Sequence, residues 1–216
     1  MIETIIEYFR DFTWDKAIDI AGLVIGLIYL WLEFKASIWL WLVSVIMPIV
    51  HGYLFWDRGL YADFGMEIYY VLAAIYGYAM WQWARGNGQS GESGEQSLER
   101  PITRFPLRRV LPVTLIGLAL WGIIYQILIT WTDSNVPLCD SFTTAISMIA
   151  MWALAQKYAE QWLLWFVVDI VCTVLYIYKH IPFTASLYGF YTVMAILGYR
   201  KWLKMMSQQD ETKKWP

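Results

Sequence analysis

The chain has 216 residues, 59% hydrophobic and 16% charged, with 16 Lys and Arg against 18 Asp and Glu for a net charge of −2. Soluble domains run nearer about 45–50% apolar and about 25% charged, so a soluble single domain is excluded, and the near-neutral balance excludes a nucleic-acid binder. Seven spans of roughly 20 residues would fill about 140 positions. That leaves no space for a nucleotide-binding domain, and no GxxxxGK[ST] loop is present to couple ATP.

Residues 1–17 begin without the basic start of a signal peptide, carrying Glu3, Glu7, Asp11 and Asp15, and are expected to form an interfacial segment. Seven apolar stretches are then predicted as transmembrane helices: Ile18 to Phe34, Ile38 to Trp56, Phe64 to Trp83, Val110 to Trp131, Ser141 to Gln156, Trp162 to Tyr178 and Ala185 to Tyr199. The domain plan that follows is a first three-helix bundle over 18–83, a linker over 84–109, a linking helix over 110–131, a second bundle over 141–202 and a tail over 203–216. Within the linker, the Gly- and Ser-rich stretch Gly86 to Glu99 reads as flexible. Trp56, Trp83, Trp131 and Trp202 sit near span ends, where indoles anchor at the headgroups.

Lys and Arg divide unevenly between alternate loops. Lys35, Arg85, Arg100, Arg104, Arg108, Arg109, Lys157 and the basic residues from Arg200 to Lys214 make twelve on one side, against Arg10, Lys16, Arg58 and Lys179 on the other. The basic side is expected in the cytoplasm, with the amino terminus outside and the carboxyl terminus inside.

Shifting the chain by 121 positions pairs Gly77, Tyr78 and Trp81 with Gly198, Tyr199 and Trp202, and Tyr70, Ala74 and Ile75 with Tyr191, Ala195 and Ile196. At 123 positions Ala36 and Trp39 meet Ala159 and Trp162. The first three spans thus resemble the last three, and the expected fold is an all-α integral membrane protein of seven transmembrane helices in three-plus-one-plus-three parallel repeats. Carriers of that kind hold substrate between the halves near the midplane.

An acid inside a span is costly and faces a cavity or a partner. Trp162, Trp165 and Asp169 share one helical face, so two indoles and a carboxylate would suit a flat cation. The alternative is an interfacial Trp162, a packed Trp165 and an Asp169 bonded to a neighbouring helix. Glu67, Tyr70, Ala74 and Tyr78 form a second stripe, with Tyr188 and Tyr191 as repeat counterparts, although Glu67 could instead be solvated at the outer mouth. Trp41 and Ser44, the latter near Pro48, complete the candidate set, and Gln126 is a further polar contact. Cys139, Cys172, His51 and His180 lack metal or redox spacing, so no metal and no cofactor is expected. No nucleophile and base stand at a persuasive spacing, so the chain is read as no enzyme.

Asp140-Ser141, the run Lys157-Tyr158 to Glu160 with Trp162-Leu163-Leu164-Trp165, and Leu60-Tyr61-Ala62 followed by Ile75-Tyr76-Gly77 and Trp81 resemble the nicotinamide riboside transporter (Pnu) family of bacterial vitamin carriers. The likeness runs from about Asp19 to Trp202, is strongest from Asp140 to Asp169, and is weak in the linker and fourth span. The resemblance implies an inner-membrane carrier, a homo-oligomer, trimeric in the family, that lets a water-soluble vitamin run down its gradient until a cytoplasmic kinase traps it. Membrane lipid is its other partner. Two positions depart from the family pattern: Asp169 stands where the riboside carriers' WxxWxxxN motif has Asn, and Glu67 and Ala74 replace an amide pair. Acids in place of amides favour a more cationic ligand, so the thiamine branch is expected. There Trp162 and Trp165 would stack on the rings, Asp169 would balance the thiazolium, and Glu67 would accept from the aminopyrimidine. Nicotinamide riboside or another nucleoside-like vitamin is the alternative substrate, and a membrane sensor or a proton-coupled carrier are the alternatives of other kinds.

Overall fold

A computed structural model describes residues 14–57, 61–86, 100–132, 134–179 and 182–212. The expected interfacial segment up to residue 13, the linker residues 87–99, Arg58, His180 and the tail from Lys213 lie outside the described residues. The helices are α1 Trp14–Phe34, α2 Trp39–Asp57, α3 Tyr61–Gly86, α4 Val110–Trp131, α5 Pro137–Ala155, α6 Gln161–Tyr178 and α7 Pro182–Thr212. A single turn of 3₁₀ helix, Leu107–Arg109, leads into α4. The chain forms two compact units, Met1–Ile75 and Tyr76–Pro216.

Among the described residues, three helical stretches are long and apolar enough to cross a membrane: Leu107–Trp131, Pro137–Ala155 and Gln161–Tyr178. This corrects the expectation of seven transmembrane helices in three-plus-one-plus-three repeats. In α1 and α2 the apolar stretches with described side chains are Val24–Phe34 and Trp39–Tyr53, each shorter than the helix that contains it. For α3 and α7 the physical reason is their content of Tyr, Trp and charge, since polar N–H and O–H groups suit these rings to the interface rather than to hydrocarbon. Thus α3 carries five Tyr together with Asp63 and Glu67, and the second half of α7 carries Arg200, Lys201 and Lys204.

In the first unit α1 packs on α2. Between them Ala36 takes φ 53°, and the N–H groups of Ser37 and Ala36 donate to Leu32 O and Glu33 O at 2.9 Å each. That pairing is a Schellman stop, which satisfies the last carbonyls of α1. In the second unit the same stop ends α5. Lys157 takes φ 54°, Tyr158 N–H donates to Ala153 O at 3.0 Å, and Lys157 N–H donates to Leu154 O at 2.8 Å. Every donor and acceptor recurs 121 residues on, and so do the bonds Leu40 N–H to Ser37 O and Gln161 N–H to Tyr158 O that start the next helices. The register therefore pairs Trp162 with Trp41, and not with Trp39 as the shift of 123 suggested. Trp41 and Trp162 are each 1% exposed, whereas Trp39 is 63% exposed.

The second unit is a chain of neighbours, α4 on α5, α5 on α6 and α6 on α7. Pro137 in the first turn of α5 gives up no needed N–H, and Asp140 places a negative charge at the positive end of the helix. Asp140 also accepts from Ser134 Oγ at 2.8 Å, and Trp121 of α4 donates its indole N–H to Ser141 Oγ at 3.1 Å. No residue of α4 is buried within the chain, so much of its apolar surface faces away from the other helices. At the far end of α5, Trp81 of α3 donates to Ala155 O at 3.1 Å and Leu154 O at 3.3 Å, and the Lys157 ammonium lies 4.1 Å over its ring. The α6–α7 contact depends on Gly198, where a Cβ would stand 2.6 Å from two Trp162 ring atoms.

Residues 100–109 form a strap across the turn between α5 and α6. Thr103 makes an isolated parallel bridge with Tyr158, donating to Lys157 O at 3.1 Å and accepting from Ala159 N–H at 3.0 Å. Arg100 donates to Gln156 Oε1 at 2.6 Å, Phe105 N–H to Glu160 Oε2 at 2.7 Å, Arg109 to the Tyr158 hydroxyl at 2.8 Å, and Ile102 N–H to Gln209 Oε1 of α7 at 3.1 Å. The Phe105 ring lies edge-on to both Trp152 and Tyr158. Partial burial pushes the Arg100 guanidinium pKa down from its usual value.

Candidate functional site

In the second unit α6 carries the nominated acid. The helix is buried at Gln161, Trp162, Val168, Asp169, Cys172 and Leu175, and with 100° per residue Trp165 falls between the stripes of Gln161 and Asp169. Asp169 is 6% exposed. Its backbone carbonyl accepts from Thr173 Oγ1 at 2.7 Å, but among the described residues no basic side chain pairs with its carboxylate. The Trp165 indole Nε1 is buried and has no hydrogen-bond partner among the described residues. A carboxylate and an indole N–H withdrawn from water in this way call for a ligand that supplies positive charge or donors to one and an acceptor to the other.

From α7, Tyr188 and Tyr191 are near enough to feel the Asp169 charge, with their ring centroids 5.9 Å apart. Tyr176 of α6 stacks on Tyr188 at 5.3 Å and 22°. Tyr176 was missed in the sequence, although it stands seven residues after Asp169 and so on the same face. Trp162 is placed differently from its partners in the motif. Its ring lies against Gly198 and edge-on to Trp202 at 6.0 Å, so it is lodged in the α6–α7 packing, although its Nε1 also lacks a partner among the described residues. The hydroxyl of Tyr78, a 46% exposed residue, accepts from Gln82 Nε2 at 2.8 Å.

In the first unit Glu67 lies 3.6 Å from His51 Nδ1. Tyr70 is edge-on to Tyr69 at 5.5 Å, Ala74 is 1% exposed, and Ser44 donates back to Trp41 O at 2.9 Å. Gln126 of α4 likewise bonds locally, to Thr130 Oγ1 at 3.2 Å. Cys139 and Cys172 are free thiols, and no group of three metal-ligating side chains occurs among the described residues.

The profile of the nicotinamide mononucleotide transporter family matches residues 16–204. The nicotinamide riboside transporter PnuC of Haemophilus influenzae is 25% identical over 186 residues, covering 86% of this chain and 78% of that protein. The riboflavin/roseoflavin transporter RibM of Streptomyces davaonensis is 26% identical over 186 residues, covering 85% and 83%. A crystal structure of the vitamin B3 transporter PnuC shares the fold with a TM-score of 0.67 at 23% identity, over 96% of this chain and 88% of that one. These findings correct the expected thiamine branch, because the relatives matched are riboside and riboflavin transporters. The physical reason lies in Glu67. The two-acid argument needed both carboxylates to face the ligand, and Glu67 has a partner of its own in His51. Of the two nominated acids, Asp169 is the one without a basic partner among the described residues.

Proposed function

The chain belongs to the nicotinamide mononucleotide transporter family, and from that premise we propose that it carries nicotinamide riboside across a bacterial inner membrane by facilitated diffusion. It is a vitamin-transporting membrane protein and not an enzyme. The observation that carries the substrate reading is the buried Asp169 carboxylate without a basic partner, beside the unpartnered indole N–H of Trp165. Nicotinamide riboside brings one delocalised pyridinium charge for the acid, ring faces for Trp165, Tyr188 and Tyr191, and carboxamide and ribose oxygens for the indole. With no ATP motif in the chain, net uptake relies on a cytoplasmic kinase that removes the riboside by phosphorylation. The strongly basic end is the cytoplasmic one in this reading.

Titration of the purified protein with nicotinamide riboside, wild type against Asp169→Asn, tests the assignment. Losing a desolvated charge pair of about 1.5–3 kcal/mol weakens binding on the order of tenfold to a hundredfold. Unchanged affinity in Asp169→Asn refutes the role given to the acid. The second reading is riboflavin, favoured by the likeness to RibM. Riboflavin is neutral, so if it is the substrate it binds wild type in preference to the riboside and tolerates the neutral Asn.

A further inference from the structure

We propose that residues 100–106 are a gate, a strap that closes one end of the second unit and lifts during transport. The proposal rests on the carrier function and on three observations about what the strap holds. It is fastened to three elements at one end, to α5 through Gln156, to the start of α6 through Glu160 and to α7 through Gln209. Its backbone bridge is made with Tyr158, and one of the two bonds goes to the carbonyl of Lys157, the residue of that turn held in the left-handed region, a conformation that costs a non-glycine residue about 1–2 kcal/mol. One residue beyond Glu160 the Gln161 side chain is completely buried, and neither its Oε1 nor its Nε2 has a hydrogen-bond partner among the described residues.

The third observation gives the direction of motion. The Gln161 amide is withdrawn from solvent next to the strap's anchor at Glu160, as are Gln156 and Lys157, which are 7% and 2% exposed. Unpaired burial favours any state in which water or substrate reaches that amide, and so offsets part of the bonds lost when the strap lifts. The side-chain anchors lie at helix termini, Gln156 after α5, Glu160 before α6 and Gln209 near the end of α7, with Arg104 adding an ion pair to Glu160 at 3.7 Å, which suits a contact made and broken as a unit. The equivalent turn of the first unit has the same backbone stop at Ala36, yet among the described residues no strand bridges it. The strap is therefore an addition to the second turn rather than a requirement for its shape.

A reversible lock tests this. Bridged neighbours in a ladder lie about 4.8 Å apart, within the reach of a disulfide. Thr103→Cys with Tyr158→Cys, in a background with Cys139→Ser and Cys172→Ala, is reconstituted into liposomes and assayed for labelled nicotinamide riboside uptake, reduced and oxidised. The expected result is at least a tenfold loss of uptake on oxidation, restored by dithiothreitol, with riboside binding retained. Equal uptake in both states overturns the gate, and failure of the pair to oxidise overturns the docked strap itself. Absence of uptake in the reduced form and in wild type points instead to the substrate reading, and the same comparison is then read with riboflavin. Deuterium exchange on the wild-type protein supplies an independent measurement. The amides of Thr103 and Ala159 should exchange at least tenfold faster than those in the middle of α6 when riboside is present on both sides. Protection equal to that of α6 overturns the proposal.

Discussion

Gly198→Ala tests the packing of the candidate site most directly. The added methyl would stand 2.6 Å from Cδ2 and Cε2 and 2.7 Å from Cζ2 of Trp162. Carbon atoms in contact prefer about 3.5–4.0 Å, so three ring atoms are overlapped by about 1 Å each. The indole has nowhere to retreat, being 1% exposed and edge-on to Trp202, which is itself completely buried. Overpacking of a rigid site costs about 1–3 kcal/mol, and two rigid partners place this one near the upper end. For a chain of this size that is a fall in Tm of about 4–12 °C, read by thermal unfolding in detergent. Gly117→Ala is the matched control. Its methyl meets one atom at 2.7 Å, Cδ1 of Ile149, the free end of a flexible side chain that can change rotamer for about 1 kcal/mol or less. Adding Trp162→Phe to Gly198→Ala should recover part of the loss, since the two changes share one contact. If Gly198→Ala is no more damaging than Gly117→Ala, the Trp162 ring does not lie where this reasoning puts it.

Trp81→Phe removes the indole donor to Leu154 O and Ala155 O, and should cost about 1–3 kcal/mol in thermal unfolding, whereas Trp83→Phe at a 67% exposed position should cost little. At Lys157, φ 54° makes Gly the tolerated replacement; Lys157→Val should be less stable than Lys157→Gly by about 2 kcal/mol, and equal stability would show that the left-handed turn is not held. Glu160→Gln keeps the shape but discharges the acceptor of Phe105 N–H, so exchange of that amide should speed up about tenfold, measured by mass spectrometry. Glu67→Gln breaks the contact with His51 between side chains that are 13% and 39% exposed, which costs at most about 1 kcal/mol. Riboside affinity should stay within about threefold, and a loss of tenfold or more would put Glu67 in contact with the ligand.

The residues that carried the family resemblance were legible as a signature, but their work in the structure differs from what their spacing implied. Asp140-Ser141 fastens the α4–α5 corner through Ser134 and Trp121, and Tyr158 with Glu160 receives the strap. None of these partners is within a helical turn in sequence of the residue it meets, so no periodicity could reveal them. Periodicity did place Trp165 and Asp169 together, since a single helix fixes their relation. It could not separate Trp162 from that pair, because what distinguishes it is a glycine thirty-six residues away on another helix. The spans expected over α3 and α7 differ for another reason, the equal weight given to Tyr and Leu, which differ in hydrogen bonding far more than in size.

Helix α4 has a consequence for how this protein can change over time. Its side chains are not buried within the chain, and its specific grips are few, chiefly Gly117 against Ile149 and Trp121 against Ser141. On its exposed face, substitution is judged largely by transfer into an apolar environment, a test that Leu, Ile, Val and Phe pass almost equally. Drift there is close to neutral, so relatives should keep its length and its two grips while exchanging most other residues. A stretch that looks poorly related in alignment can thus be the part under the plainest physical requirement.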